Sequence, residues 1–486
     1  MAQIGSDISA TTASGGTPTQ PTHSISPTVL FAAVLTLLAA TTAALTPPFQ
    51  SPDAFAHFLR AASISYGSLI PAELHHRYGA SLPASINTLV RIFQPTYSTH
   101  RITIQQLHAA NSLHWTSPLV FIPNMSTAFD PPILYLPQAL GLLFARITAQ
   151  SLLVSYYASI AANAATGITL LSITYHITEH RMRPWLFILA CLPMSVSLLA
   201  SPSRDALLLP LIALASAVYR RLSTRPLEPN PLRHLRNWIP VALLIPVLMT
   251  KPPYLPLLAL FPLPLASQAK PFRRLLRKYL PLLVGSLMVL LWLGATAHLL
   301  AASITALPAT IDIRPRVQLV GIITNPIGFI QVLRQTLHHL WNFYAEGLVG
   351  ILGWLDVYLP IWSYFLIWAL LLGVGTFTAT GLDRSIKTPI SKTWPAFVLA
   401  ALAASISVFA TMYMVNSGVG WSIIIGVQGR YFLPILGAVF VLPTRRDLDE
   451  TTPRRTNWIE LSFCVGSSVL FGTLTAATLI SNYWLT

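Results

Sequence analysis

Apolar residues run along this chain in blocks of about 20, the length that crosses a hydrocarbon core. Clear blocks cover 27–47, 149–176, 184–201, 205–220, 279–302, 357–380, 394–415 and 457–483. Shorter, Pro-rich runs at 237–250, 252–268 and 430–444 also read as spans, because neighbouring helices re-satisfy the backbone groups that Pro frees. A further run, 132–147, begins Asp130-Pro131-Pro132 and is only moderately long. Residues 1–26 are rich in Ser, Thr, Pro and Gly and contain no Lys or Arg. They read as a disordered tail without the basic region of a signal peptide.

Composition agrees with this pattern. The 486 residues are 53% hydrophobic and 9% charged, against roughly 25% charged in soluble proteins. Mean hydropathy is +0.61. These values exclude a cytosolic enzyme, a secreted disulfide scaffold and a disordered chain. Cys191 and Cys464 both lie in apolar runs and read as small buried hydrophobes. The net charge of +15 fits basic cytoplasmic loops, not nucleic-acid binding.

Five loops hold 19 of the 30 basic residues: Arg181 and Arg183; Arg220, Arg221, Arg225, Arg233 and Arg236; Lys270, Arg273, Arg274, Arg277 and Lys278; Arg384, Lys387 and Lys392; and Arg445, Arg446, Arg454 and Arg455. The positive-inside bias puts all five in the cytoplasm. Two spans separate each neighbouring pair. This parity works only if 132–147 does not cross, so it reads as a helix along the outer surface. The expectation is an all-α polytopic protein of about eleven spans, with the N-terminus inside and the C-terminus outside. It divides into a tail (1–26), a transmembrane domain (27–445), and a cytoplasmic loop with the last transmembrane helix (446–486).

The outward segments are then 48–148, 201–205, the turn at Lys251, 303–350 and 416–430. The first is long for a structureless connection and suggests a function. In it, Ser51 reads as an N-cap and Pro52 as a first-turn residue, which places Asp53, His57 and Arg60 on one helical face. That face has two readings, an amphipathic surface helix or a site. Ser201-Pro202-Ser203-Arg204-Asp205 has two as well, a helix cap or ionisable residues kept near the membrane for function. Lys251 breaks the charge bias, either snorkelling or meeting a phosphate. Arg430, in Gln428-Gly429-Arg430-Tyr431, opens a span beside a Gly that permits close backbone approach. Arg suits a pair of phosphate oxygens, and an interfacial Arg with the aromatic Tyr431 is the plainer reading.

Taken in order, several segments resemble a bacterial membrane-protein family, domain of unknown function 2142, within the GT-C glycosyltransferase superfamily. They are Pro47 to Ala61, Pro131 to Gly141, Ser201 to Asp205, Lys251-Pro252-Pro253-Tyr254 and Gln428 to Tyr431. The superfamily has a long first outer loop bearing surface helices and an acidic residue just after the first span. It often has a second acidic residue in the next outer turn. Asp53 and Asp205 fall in those places.

The resemblance implies transfer of a sugar from a polyprenyl-phosphate donor to a glycan, lipid or protein acceptor outside a bacterial cytoplasmic membrane, with inversion. It implies Asp53 as base and Arg430 and Lys251 as clamps on the leaving phosphate, with Gln428 and Tyr431 beside them. Asp205 would be the second acid, with His57, Arg60 and Arg204 in support. No cofactor is fixed. Mg²⁺ or Mn²⁺ suits hard oxygen ligands, although the sequence carries no dedicated metal motif. The chain departs from the family's Pro-Asp-Glu pattern, having Ala54 in place of the Glu. The other function classes are a transporter or flippase of a lipid-linked or polysaccharide substrate, and a non-catalytic scaffold. Membrane lipids are a partner in every reading, and nucleic acid in none.

Overall fold

The computed structural model describes residues 26–124, 126–224, 234–262, 271–305, 312–380, 393–442 and 458–485. The tail and many of the basic-loop residues, among them Arg225, Arg233, Lys270, Arg384, Lys387, Lys392, Arg445, Arg446, Arg454 and Arg455, lie outside these.

Six described helices are long and apolar enough to cross a membrane: Pro27–Leu45, Arg204–Ser223, Leu275–Leu299, Ile361–Ala379, Thr393–Asn416 and Trp458–Tyr483. Two bent pairs raise this to eight, His180–Cys191 with Pro193–Leu199 at 66° and Pro315–Thr324 with Pro326–Val349 at 108°. The expected eleven also counted Leu152–Ile177 and three Pro-rich runs, which are not among these candidates, and did not count the Pro315–Val349 pair. Leu235–Thr250 and Gly429–Val441 are short apolar helices, and Pro252–Leu260 is a 3₁₀ helix, because each Pro removes a backbone donor and crowds the preceding turn. Segment 303–350, expected as an outer loop, is largely the 108° helix pair.

The first helix and the last run parallel. Pro27 lies near Glu460 and Leu461 at one end, and at the other the indole of Trp484 donates to the Leu45 carbonyl at 2.8 Å. If both cross a bilayer, the number of crossings is odd.

The chain builds two cores. The larger gathers residues from the long helices, among them Phe31, Leu186, Ile212, Leu244, Phe409 and Phe471. Many outward faces are apolar, as at Leu37, Leu290 and Leu399. The second core is made by residues 49–160. Phe49, Phe58, Phe93 and Tyr156 meet there, with ring centroids 4.8–6.2 Å apart between Phe49 and the other three. It contains a feature the sequence reading lacked, an antiparallel sheet of β1 (Ala72–Leu74), β2 (Arg77–Pro83) and β3 (Leu119–Pro123), ordered β1-β2-β3. Gly79 pairs with Ala72 on one side and Pro123 on the other. A two-stranded hairpin, β4 (Ile351–Leu352) and β5 (Val357–Tyr358), lies elsewhere. The fold is mostly helical, as expected of a polytopic α-helical membrane protein, with two small sheets added.

One helix joins the cores. Leu152–Ile177 has 26 residues, about 39 Å at 1.5 Å per residue, longer than a hydrocarbon core of about 30 Å. Leu152, Tyr156 and Ile160 belong to the second core, and Ile168, Leu171 and Tyr175 to the first. Leu136–Ile147 lies against the second-core half. A Cβ at Gly141 would sit 2.4 Å from the Ala158 carbonyl oxygen, so only Gly permits that approach.

Candidate functional site

The junction of the two cores collects most of the polar residues singled out in the sequence. The segment after the first helix reaches it first. The helix here starts at Ala54, not at Ser51, and Asp53 holds the N-cap position in a left-handed conformation at φ 59°. Such a φ is uncommon outside Gly and most tolerated by Asn and Asp. It turns the chain from the first helix into Ala54–Ser65. The expected polar face forms, but it points inward: His57 is 3% and Arg60 2% exposed. The Asp53 side chain is half exposed.

The 201–205 turn enters from the first core. Asn163 donates to the carbonyls of Ser201 and Ser203 at 3.0 and 2.9 Å. The Ser203 hydroxyl accepts the Asp205 N–H at 3.2 Å. Ser203 performs the capping and leaves the Asp205 carboxylate to other partners. That carboxylate is ringed by cations. Lys251 Nζ lies at 3.4 Å, Arg204 Nε at 3.8 Å and Arg430 Nε at 4.0 Å.

Arg430 sits on a 3₁₀ turn, Gly429–Phe432. A Cβ at Gly429 would lie 2.3 Å from the Tyr344 carbonyl oxygen, so the turn packs flush against the Pro326–Val349 helix. Arg430 Nη2 reaches Asp53 at 3.8 Å. It thus faces both sequence-predicted acids, although it is only 4% exposed. Tyr431 lies under Lys251, whose Nζ is 3.8 Å from the ring centroid. The Tyr254 hydroxyl donates to the Tyr431 carbonyl at 2.8 Å, tying the Lys251 turn to the Arg430 turn. Gln428 contributes no side-chain bond, and its side-chain oxygen is buried without a partner.

Two members of the site had no role in the sequence reading, Asp130 and Tyr135. Asp130 is ion-paired with Arg204. The Tyr135 hydroxyl donates to Asp130 Oδ2 at 2.9 Å, accepts from Arg204 Nη1 at 3.0 Å, and meets His57 Nδ1 at 2.7 Å. The phenol has one proton and gives it to Asp130. His57 Nδ1 must then carry a proton and donate it, which leaves Nε2 as the acceptor. Burial, with the neighbouring Arg204 cation, holds His57 well below the usual imidazole range, so the ring is neutral. The available signal for Asp130 was an acid directly before Pro131-Pro132 in a chain with 15 acidic residues.

Asp205, Arg430, Tyr254 and Tyr431 line a narrow pocket together with Leu171, Leu199 and Leu209. Asp53, Asp130 and Asp205 stand here against Arg204, Lys251 and Arg430, three carboxylates and three cations. Asp205 and Asp130 already face cations, and among the described residues no three His, Cys, Asp or Glu side chains converge.

No curated protein and no solved structure matches the chain. A family model does match, and it spans residues 35–439, from the first helix through the Arg430 turn. That is most of the chain and all of the residues just described, and the protein therefore belongs to the family described as predicted membrane protein (DUF2142).

Proposed function

We propose that the protein is a membrane glycosyltransferase of GT-C type that moves a sugar from a polyprenyl-phosphate donor to an acceptor glycan, lipid or protein on the extracytoplasmic side of a bacterial cytoplasmic membrane. One observation carries the reading: a half-exposed carboxylate, Asp53, stands 3.8 Å from a buried guanidinium, Arg430. A candidate base and a cation able to meet a leaving phosphate are the two kinds of group that a displacement at an anomeric carbon uses.

In this reading the acceptor hydroxyl oxygen attacks the anomeric carbon and its proton passes to Asp53. The bond from that carbon to the phosphate oxygen breaks on the opposite face, and inversion follows. The charge that develops on the leaving phosphate is met by Arg430 and Lys251. Asp205 is the poorer base, because three cations surround it. Its role is to hold Lys251 and Arg430 at distances of 3.4–4.0 Å, loose enough for phosphate oxygens to enter.

The second reading is transport of a lipid-linked substrate. The 66° and 108° helix breaks are the observation in its favour, since transporters build their sites from broken helices. The ionisable groups, however, gather at the junction of the cores, with Arg204 and Asp205 in the first turn of the Arg204–Ser223 helix. Incubation of the purified protein with a panel of polyprenyl-phosphate sugars and candidate acceptors separates the two. Sugar loss from one donor, abolished by Asp53→Asn, supports transfer. Translocation of intact donor without cleavage overturns it.

A further inference from the structure

Arg60 stands apart from the other cations of the junction. It is 2% exposed, and among the described residues no carboxylate pairs with it. One nitrogen, Nη2, donates to the carbonyls of Leu69 and Asp130, both at 2.9 Å. Its Nε is buried with no partner. A buried guanidinium without a counter-charge is costly, and the two carbonyls leave its Nε–H unanswered.

That residue lines a narrow recess in the second core, about 10 Å³ of water-accessible space between the Ala54–Ser65 helix and the β2–β3 face. Leu59, Leu82 and Ile122 give it apolar walls, Ser63 and Asn124 add polar atoms, and half-buried Pro71 also lines it. The recess has the makings of a small-ligand site, with apolar walls and a few polar groups. Arg60 is its one charged residue, and that charge is positive.

We propose that this recess binds a small anionic group, a carboxylate or a phosphate, carried by a molecule that docks on residues 49–160. Arg60 is the ion partner, and the recess takes the anionic head alone. A carboxylate-bearing sugar and a phosphate-bearing group share this chemistry. The inference does not depend on glycosyl transfer, because occupancy is measured without turnover.

The test is calorimetric titration of the intact protein in lipid nanodiscs with glucuronate, glucose and inorganic phosphate. One of the two anions should bind at millimolar concentration, and glucose should not. Pro71→Trp narrows the recess but leaves the two carbonyl bonds of Arg60 in place. It should weaken anion binding by about 10- to 100-fold, the worth of one charge-assisted hydrogen bond. Arg60→Gln should do the same, read only if its unfolding transition is retained, so that Pro71→Trp decides the matter if it is not. Lys251→Met, which alters the other site, should leave this binding unchanged. The proposal is overturned if neither anion binds, if glucose binds as well as glucuronate, or if folded Pro71→Trp keeps full affinity while Lys251→Met loses it.

Discussion

Lys251 and Asp205 meet at 3.4 Å across 46 positions of sequence, and Arg204 and Arg430 approach the same carboxylate from other sides. Three cations on one buried acid hold three chain segments at one point. Removal of the acid leaves them facing one another. Asp205→Ala should cost on the order of 3–5 kcal/mol, the range for breaking a buried ion pair. Lys251→Met should cost less, because two cations remain on the carboxylate. Thermal unfolding in detergent reads both, and equal losses would remove Asp205 from the centre of the network.

Asp53 separates backbone strain from chemistry. Its φ of 59° costs a non-Gly residue about 1–3 kcal/mol. Asp53→Gly should therefore fold at least as stably as the parent, while Asp53→Asn keeps the shape and loses the base. Both should lower turnover by about 10²-fold or more if Asp53 takes the acceptor proton. Near-parental turnover in either variant would move the base elsewhere.

Arg430 should act on donor binding. Loss of a charge-assisted phosphate contact costs about 1.5–3 kcal/mol, so Arg430→Ala should weaken donor affinity about 10- to 150-fold. Arg430→Lys should recover part of it, since it restores the charge without the planar fork. Equilibrium binding of a polyprenyl-phosphate sugar checks this, and unchanged affinity in a folded variant takes Arg430 out of the site.

His57 gives a pH signature. Burial and Arg204 lower its folded pKa, so below the ordinary value of about 6.5 the unfolded chain binds a proton that the folded one does not. Stability should be flat above that pH and fall as pH drops through it, by up to about 1.4 kcal/mol per pH unit. His57→Gln should remove that slope. Unfolding midpoints between pH 7.5 and 5 test the sign; a stability that rises on acidification contradicts a buried neutral ring.

Topology is open to labelling. A single cysteine in place of exposed Thr148, at the end of Leu136–Ile147, should react from the side opposite the Arg220 and Arg221 loop. Glu73 and Asp312 should report that same side. Labelling of position 148 from the side of Arg220 would mean that 132–147 crosses.

The long apolar helices were legible because a stretch of about 20 apolar residues has few other fates, and the membrane class followed from the scarcity of charge. Asp53, Asp205, Lys251 and Arg430 were legible for a related reason: ionisable groups beside apolar runs are expensive and stand out. Tertiary structure decided the rest. The strands at 72–83 and 119–123 are short and paired across a long stretch of chain, so no local period marked them. Asp130 and Tyr135 acquired a role only when the Leu136–Ile147 helix brought them to Arg204 and His57. The polar face of Ala54–Ser65 had the same spacing whether it met water or protein, and it points inward because Tyr135 and the Asp130 carbonyl receive it. Spacing along a helix shows which side chains share a face, and only the packing of the two cores could determine what that face touches.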